Sequence, residues 1–98
     1  MLKWLRRQLD PGSDAPVPMS QVRDAARRMI AGELTEREFV EWVHCHVGHD
    51  GPDALQVIVE MYDEYDPNVD PGAVEQFVRN GKPAQVRAFA EALTARSD

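Results

Sequence analysis

The side chains best suited to chemistry lie together at His44-Cys45-His46, with His49 and Asp50 just beyond. Imidazole and thiolate are ligands for zinc and copper. Cys45 and His49 are four apart and His46 and His49 three apart, so two or three of these groups can meet on a helical turn that runs into a loop. A closed four-ligand site would need Asp50 or another acid, because no second Cys or His group lies elsewhere. The plainer account is that the histidines favour the negative end of a helix and Cys45 is a small buried hydrophobe. No bound metal and no cofactor are therefore expected, with His44, Cys45, His46 and His49 as the candidates should an ion bind. A thiol nucleophile needs a histidine beside it in space. His44 and His46 point about 100° away from Cys45 on a helix, in opposite senses.

Two other patterns lead to less. Asp66-x-Asn68-x-Asp70 opens like a calcium loop, but the sixth and twelfth places hold Pro71 and Phe77 instead of Gly and Glu. An Asx-rich turn, with Asp70 capping the next helix, accounts for all three residues. The carboxylates of Asp63 and Glu64 diverge on a helix and read as a solvated face. No glycine loop for a nucleotide is present, and no enzyme is expected.

Charge is unevenly spread. Net charge is −6, yet residues 1–9 carry Lys3, Arg6 and Arg7 and no acid. Between Arg37 and Arg79 there is no Lys or Arg, and ten acids: Glu38, Glu41, Asp50, Asp53, Glu60, Asp63, Glu64, Asp66, Asp70 and Glu75. Such a block attracts basic partners and speaks against direct binding to a nucleic-acid backbone. The expected contact set is Asp50, Asp53, Glu60, Asp63, Glu64, Asp66, Asp70 and Glu75, with Tyr65 as an aromatic anchor. Tyr62 falls in an apolar stripe and is expected in the core, leaving Tyr65 partly exposed.

The elements that must hold these residues are helical. Leu2, Leu5 and Leu9, with Trp4 beside them, predict a short basic amphipathic helix over residues 1–9. Trp4, Leu5, Arg6 and Arg7 are a second candidate contact set, for the body, a partner groove or a membrane surface, and the alternative reading is a small adaptor or regulatory protein that acts through this helix. Three prolines and a glycine make residues 10–18 a linker, which leaves a helical domain over residues 19–98. Ser20 is the expected N-cap of a helix whose stripe is Val22, Ala25, Ala26, Met29 and Ile30, stopped at Gly32. Thr35-Glu36-Arg37-Glu38 spells a capping box, followed by Phe39, Val40, Val43 and Val47, with Trp42 extending that face and Gly48 as the stop. Pro52 is expected at the first position of a third helix with stripe Leu55, Ile58, Val59 and Tyr62. Asp70-Pro71 is expected to start a fourth, with Val74, Phe77 and Val78 inward. Pro83 opens the last, with Val86, Phe89, Ala90 and Leu93. The fold class is all-α: five helices in the body plus the N-terminal one.

At 98 residues the chain has room for one core, and 43% hydrophobic with 29% charged residues describes a globular domain rather than a disordered one. No run approaches the roughly 20 apolar residues of a membrane span. A single cysteine excludes an internal disulfide. The start MLKWLRRQL places arginines where a signal peptide would be apolar, so a cytoplasmic protein is expected. A helix with an exposed stripe can also form a homodimer.

Residues Ala31 to Val40, read as AGELTEREFV, resemble the helical immunity proteins of bacterial colicin-type toxins, which carry a Thr/Ser-x-x-Glu-Phe helix start like that from Thr35 to Phe39. Asp70-Pro71-Gly72-Ala73-Val74 and Asn80-Gly81-Lys82-Pro83 are similar to the closing part of the nuclease-colicin members. About half the chain is covered. The tyrosine pair followed by proline that the family sets against its toxin has no counterpart in Met61-Tyr62-Asp63-Glu64-Tyr65, so no family contact residue carries over. The resemblance implies a small acidic helical inhibitor that captures and blocks a basic partner, a toxin or nuclease.

Overall fold

The computed structural model describes residues 17–95 of the chain. The helix expected over 1–9, most of the linker, and Trp4, Leu5, Arg6 and Arg7 lie outside the described residues. Within them are five α-helices and no strand: α1 Met19–Ile30, α2 Glu36–His46, α3 Asp53–Glu64, α4 Ala73–Arg79 and α5 Lys82–Ala95.

The first helix buries the expected stripe of Val22, Ala25, Ala26 and Met29. It begins earlier than Ser20 predicts. Pro18 stands in extended conformation, and its carbonyl accepts from the Gln21 amide at 3.0 Å, so Ser20 falls inside the first turn and is not the cap. Gly32, at φ +90°, turns the chain back after this helix, a conformation costly for any residue with a Cβ.

The capping box on α2 forms in full. Thr35 Oγ1 accepts from the Glu38 amide at 3.0 Å, and Glu38 Oε1 accepts from the Thr35 amide at 2.8 Å. Two orphan amides of the helix start are thereby paired. Phe39, Val40 and Val43 then face inward.

Pro52 precedes α3 as its N-cap instead of occupying the first helical position. This helix buries Leu55, Ile58, Val59 and Met61. The loop after it holds the Asx turns: Asp66 Oδ1 accepts from the Asn68 amide at 2.8 Å and Asp70 Oδ1 from the Gly72 amide at 2.9 Å. Asp70 and Pro71 are consumed by that second turn, so α4 starts at Ala73 and Asp70 does not cap it. Ala73 and Phe77, four apart, are the buried residues of this short helix. Val74 and Val78 were expected inward but are 41% and 62% exposed, because each follows an inward residue by about 100° of rotation.

Helix α1 packs mainly on α5, and α2 mainly on α3; α2 also touches α1 and α5, and α4 lies on α5. Phe39, Phe77, Met29, Leu55 and Ile58 are the largest fully buried side chains. At apolar burial of about 25 cal/mol per Å², such residues supply most of the drive to fold. The consequence for function is that α2 and α3, joined by a short loop, present adjoining surfaces.

Candidate functional site

The end of α2 and the loop that follows bring two of the predicted histidines together around an acid from α3. His44 sits in the last turn of α2 and His49 in the loop. His44 Nε2 lies 3.0 Å from Asp63 Oδ1, and His49 Nε2 lies 2.5 Å from Asp63 Oδ2. An ionised carboxylate only accepts, so each imidazole donates its Nε2 hydrogen to its own oxygen. The bond from His49 is the strongest influence on Asp63 and, with the bond from His44, holds its carboxyl below the usual range; partial desolvation opposes them. The two imidazoles meet edge to face at 5.6 Å.

The loop between the helices is fixed from several sides. Gly48, at φ +72°, lets the chain leave α2, and the Gly51 amide donates to the Gly48 carbonyl at 3.2 Å. Gln56 on α3 reaches back with its side-chain nitrogen to the carbonyls of Gly48 at 2.9 Å and Gly51 at 3.3 Å. A Cβ at position 51 would collide with the Val47 side chain, so only glycine allows this closure.

The other members of the sequence cluster go elsewhere. The His46 ring stacks on Trp42 at 4.6 Å, and its Nδ1 donates to the Trp42 carbonyl at 2.9 Å. Cys45 is exposed, against the expectation of a buried hydrophobe, because it projects from the outer side of α2 while Val43 takes the core. Asp50 is exposed and stands outside the His44–His49–Asp63 group.

The two tyrosines exchange their expected places. Tyr65 is buried at 7% exposure and ceases to be a contact candidate. It leaves the helix at φ −122°, ψ 45°, meets Phe77 edge to face at 5.8 Å, and its hydroxyl accepts from Asn80 Nδ2 at 2.9 Å. Tyr62 is half-buried, with the His44 ring at 4.3 Å and the Arg37 guanidinium carbon at 4.8 Å from its centre.

Of the expected acidic contacts, Asp50, Asp53, Glu60, Asp63, Glu64, Asp70 and Glu75 are exposed and Asp66 is half-buried. Three gather at an open groove of about 450 Å³ between α3 and the start of α5, where Glu60, Asp63 and Glu64 stand beside Val57 and Met61. Lys82 and Gln85 close the far side, so one cation that the sequence places beyond the acidic block folds back to its edge. Among the described residues Glu60 and Glu64 form no ion pair, whereas Glu75 lies 3.9 Å from Arg79 and Glu41 3.2 Å from Arg37.

No helix among the described residues is long and apolar enough to cross a membrane. Compared with family models, curated proteins and solved structures, the chain finds no match.

Proposed function

We propose that this protein is a binding protein and not an enzyme, and that it captures a basic protein partner through the acidic face of α3. The observation that carries this reading is the pairing of exposed acids with exposed apolar surface. Among the described residues Glu60 and Glu64 form no ion pair, and they stand beside Val57, which is 53% exposed, on the rim of the groove. Charge of one sign speeds encounter, and apolar surface released from water supplies the affinity that follows. The likeness of residues 31–40, 70–74 and 80–83 to colicin-type immunity proteins supports the narrower form: an inhibitor, bacterial and cytoplasmic, that blocks a toxin or nuclease.

The double variant E60Q/E64Q tests the reading. A basic protein captured from the native host by the wild type should be purified and its association followed by stopped flow across a salt series. The variant should associate about tenfold more slowly at low salt and show a flatter salt dependence, and the wild type should inhibit the partner's activity. An association rate indifferent to both the variant and salt overturns the acidic-face reading. Binding without inhibition overturns the inhibitor form.

A further inference from the structure

We propose that His44, His49 and Asp63 form a surface binding site for a divalent transition-metal ion of the zinc class. One ligand atom from each residue lies within 4.8 Å of the others. Four-coordinate zinc, with bonds of about 2.0–2.1 Å, places neighbouring ligand atoms ~3.3 Å apart. The present separations to Asp63, 3.0 Å from His44 and 2.5 Å from His49, are both shorter than that spacing. The groups must move apart to admit an ion at the centre, a motion open to the exposed side chains of His49 and Asp63 around a half-buried His44.

The donor set chooses the class of metal. Two imidazoles and one carboxylate suit zinc, copper, nickel or cobalt, whereas calcium and magnesium take oxygen ligands. Three protein ligands leave a coordination position for water. The ligands are also held before any ion arrives. His44 stands on a helix and packs against Tyr62, His49 lies in the loop that Gln56 clasps, and Asp63 is anchored on α3. At present each Nε2 hydrogen satisfies one carboxylate oxygen. On metal binding the imidazoles shift to the tautomer with hydrogen on Nδ1, and the cation takes the place of the two hydrogens. Asp63 also borders the acidic groove, but Glu60 and Glu64, which carry that reading, are not among the ligands, so the two can fail separately.

Isothermal titration of the full chain with zinc chloride, in a buffer that does not chelate, tests the proposal. One equivalent should bind. H49A and D63N should each weaken binding at least tenfold, with His49 the safer position because its side chain is 59% exposed and a truncation there leaves the core intact. C45S and H46A should bind as the wild type does, as should E60Q/E64Q. Cobalt, added in place of zinc, should give a visible absorption band that H49A lacks. Absence of binding, or binding that H49A leaves unchanged, overturns the site. Loss of binding in C45S or H46A equal to that in H49A overturns the three-residue assignment.

Discussion

Arg37 and Tyr62 are stacked across the α2–α3 boundary, with the guanidinium carbon 4.8 Å from the ring centre. The Arg37 side chain is only 11% exposed, and Phe77 offers it a second ring at 5.5 Å. Its Nε donates to Glu41 at 3.2 Å, yet both terminal nitrogens are buried with no hydrogen-bond partner among the described residues. The ring faces are thus what these nitrogens have in place of water, an interaction worth about 0.5–2 kcal/mol.

Methionine at this position keeps the aliphatic volume and removes the unpaired donors. R37M should therefore stay close to the wild type in stability, because Glu41, which loses its partner, is 45% exposed and returns to water. R37A opens a space beside two rings and should cost about 2 kcal/mol or more. Urea unfolding followed by circular dichroism measures both.

Tyr62 carries a pH signature of the same contact. Burial raises its phenol above the ordinary value of 10.0, the carboxylates of Asp66 and Glu41 raise it further, and Arg37 opposes them. The folded state therefore holds the proton more tightly than the unfolded one. The associated stability is fully present below the unfolded value near 10 and is lost as pH rises through the higher folded value. Ultraviolet titration should show Tyr62 ionising later than a model phenol, and R37M should delay it further.

Thr35→Ala removes the hydroxyl that caps α2 and leaves the Glu38 amide without its partner. The expected loss is about 1 kcal/mol. The measurement is again the denaturation midpoint, with an unchanged slope showing that only the native state is affected.

Tyr65 separates a structural role from a contact role. Y65F keeps the ring against Phe77 and gives up only the hydroxyl that Asn80 bonds, so stability should fall by about 0.5–1.5 kcal/mol. Partner association should stay as in the wild type, because the side chain faces the core. Paired unfolding and stopped-flow measurements on this variant distinguish the two.

The helices were legible because their signals are local. The Thr35–Glu38 box and the 3.6-residue spacing of Val22, Ala25, Ala26 and Met29 each lie within one element, and each formed as expected. The errors lie where one element decides the next. Tyr62 fits the stripe of α3 by spacing, but Tyr65 is the residue at which the chain leaves the helix and meets Phe77. Asp70 and Pro71 look like a helix start until the Asx turn claims them. At the metal-capable group, His44 and His49 announce themselves by type. Asp63 does not, since it is one acid in a block of ten, and only the packing of α3 on α2 selects it.

The clasp that Gln56 places on Gly48 and Gly51 has a consequence for motion. Gln56 and Asp63 stand two turns apart on α3, and both reach the segment that joins it to α2. Two rungs of one ladder therefore fasten the α2–α3 hairpin, and the segment between them cannot fray independently of the helix. Its conformational freedom is lost once, when the chain folds, and is not lost again when something docks beside it. Opening of this corner has to break both rungs, which couples it to the hairpin more closely than a surface loop held only at its ends.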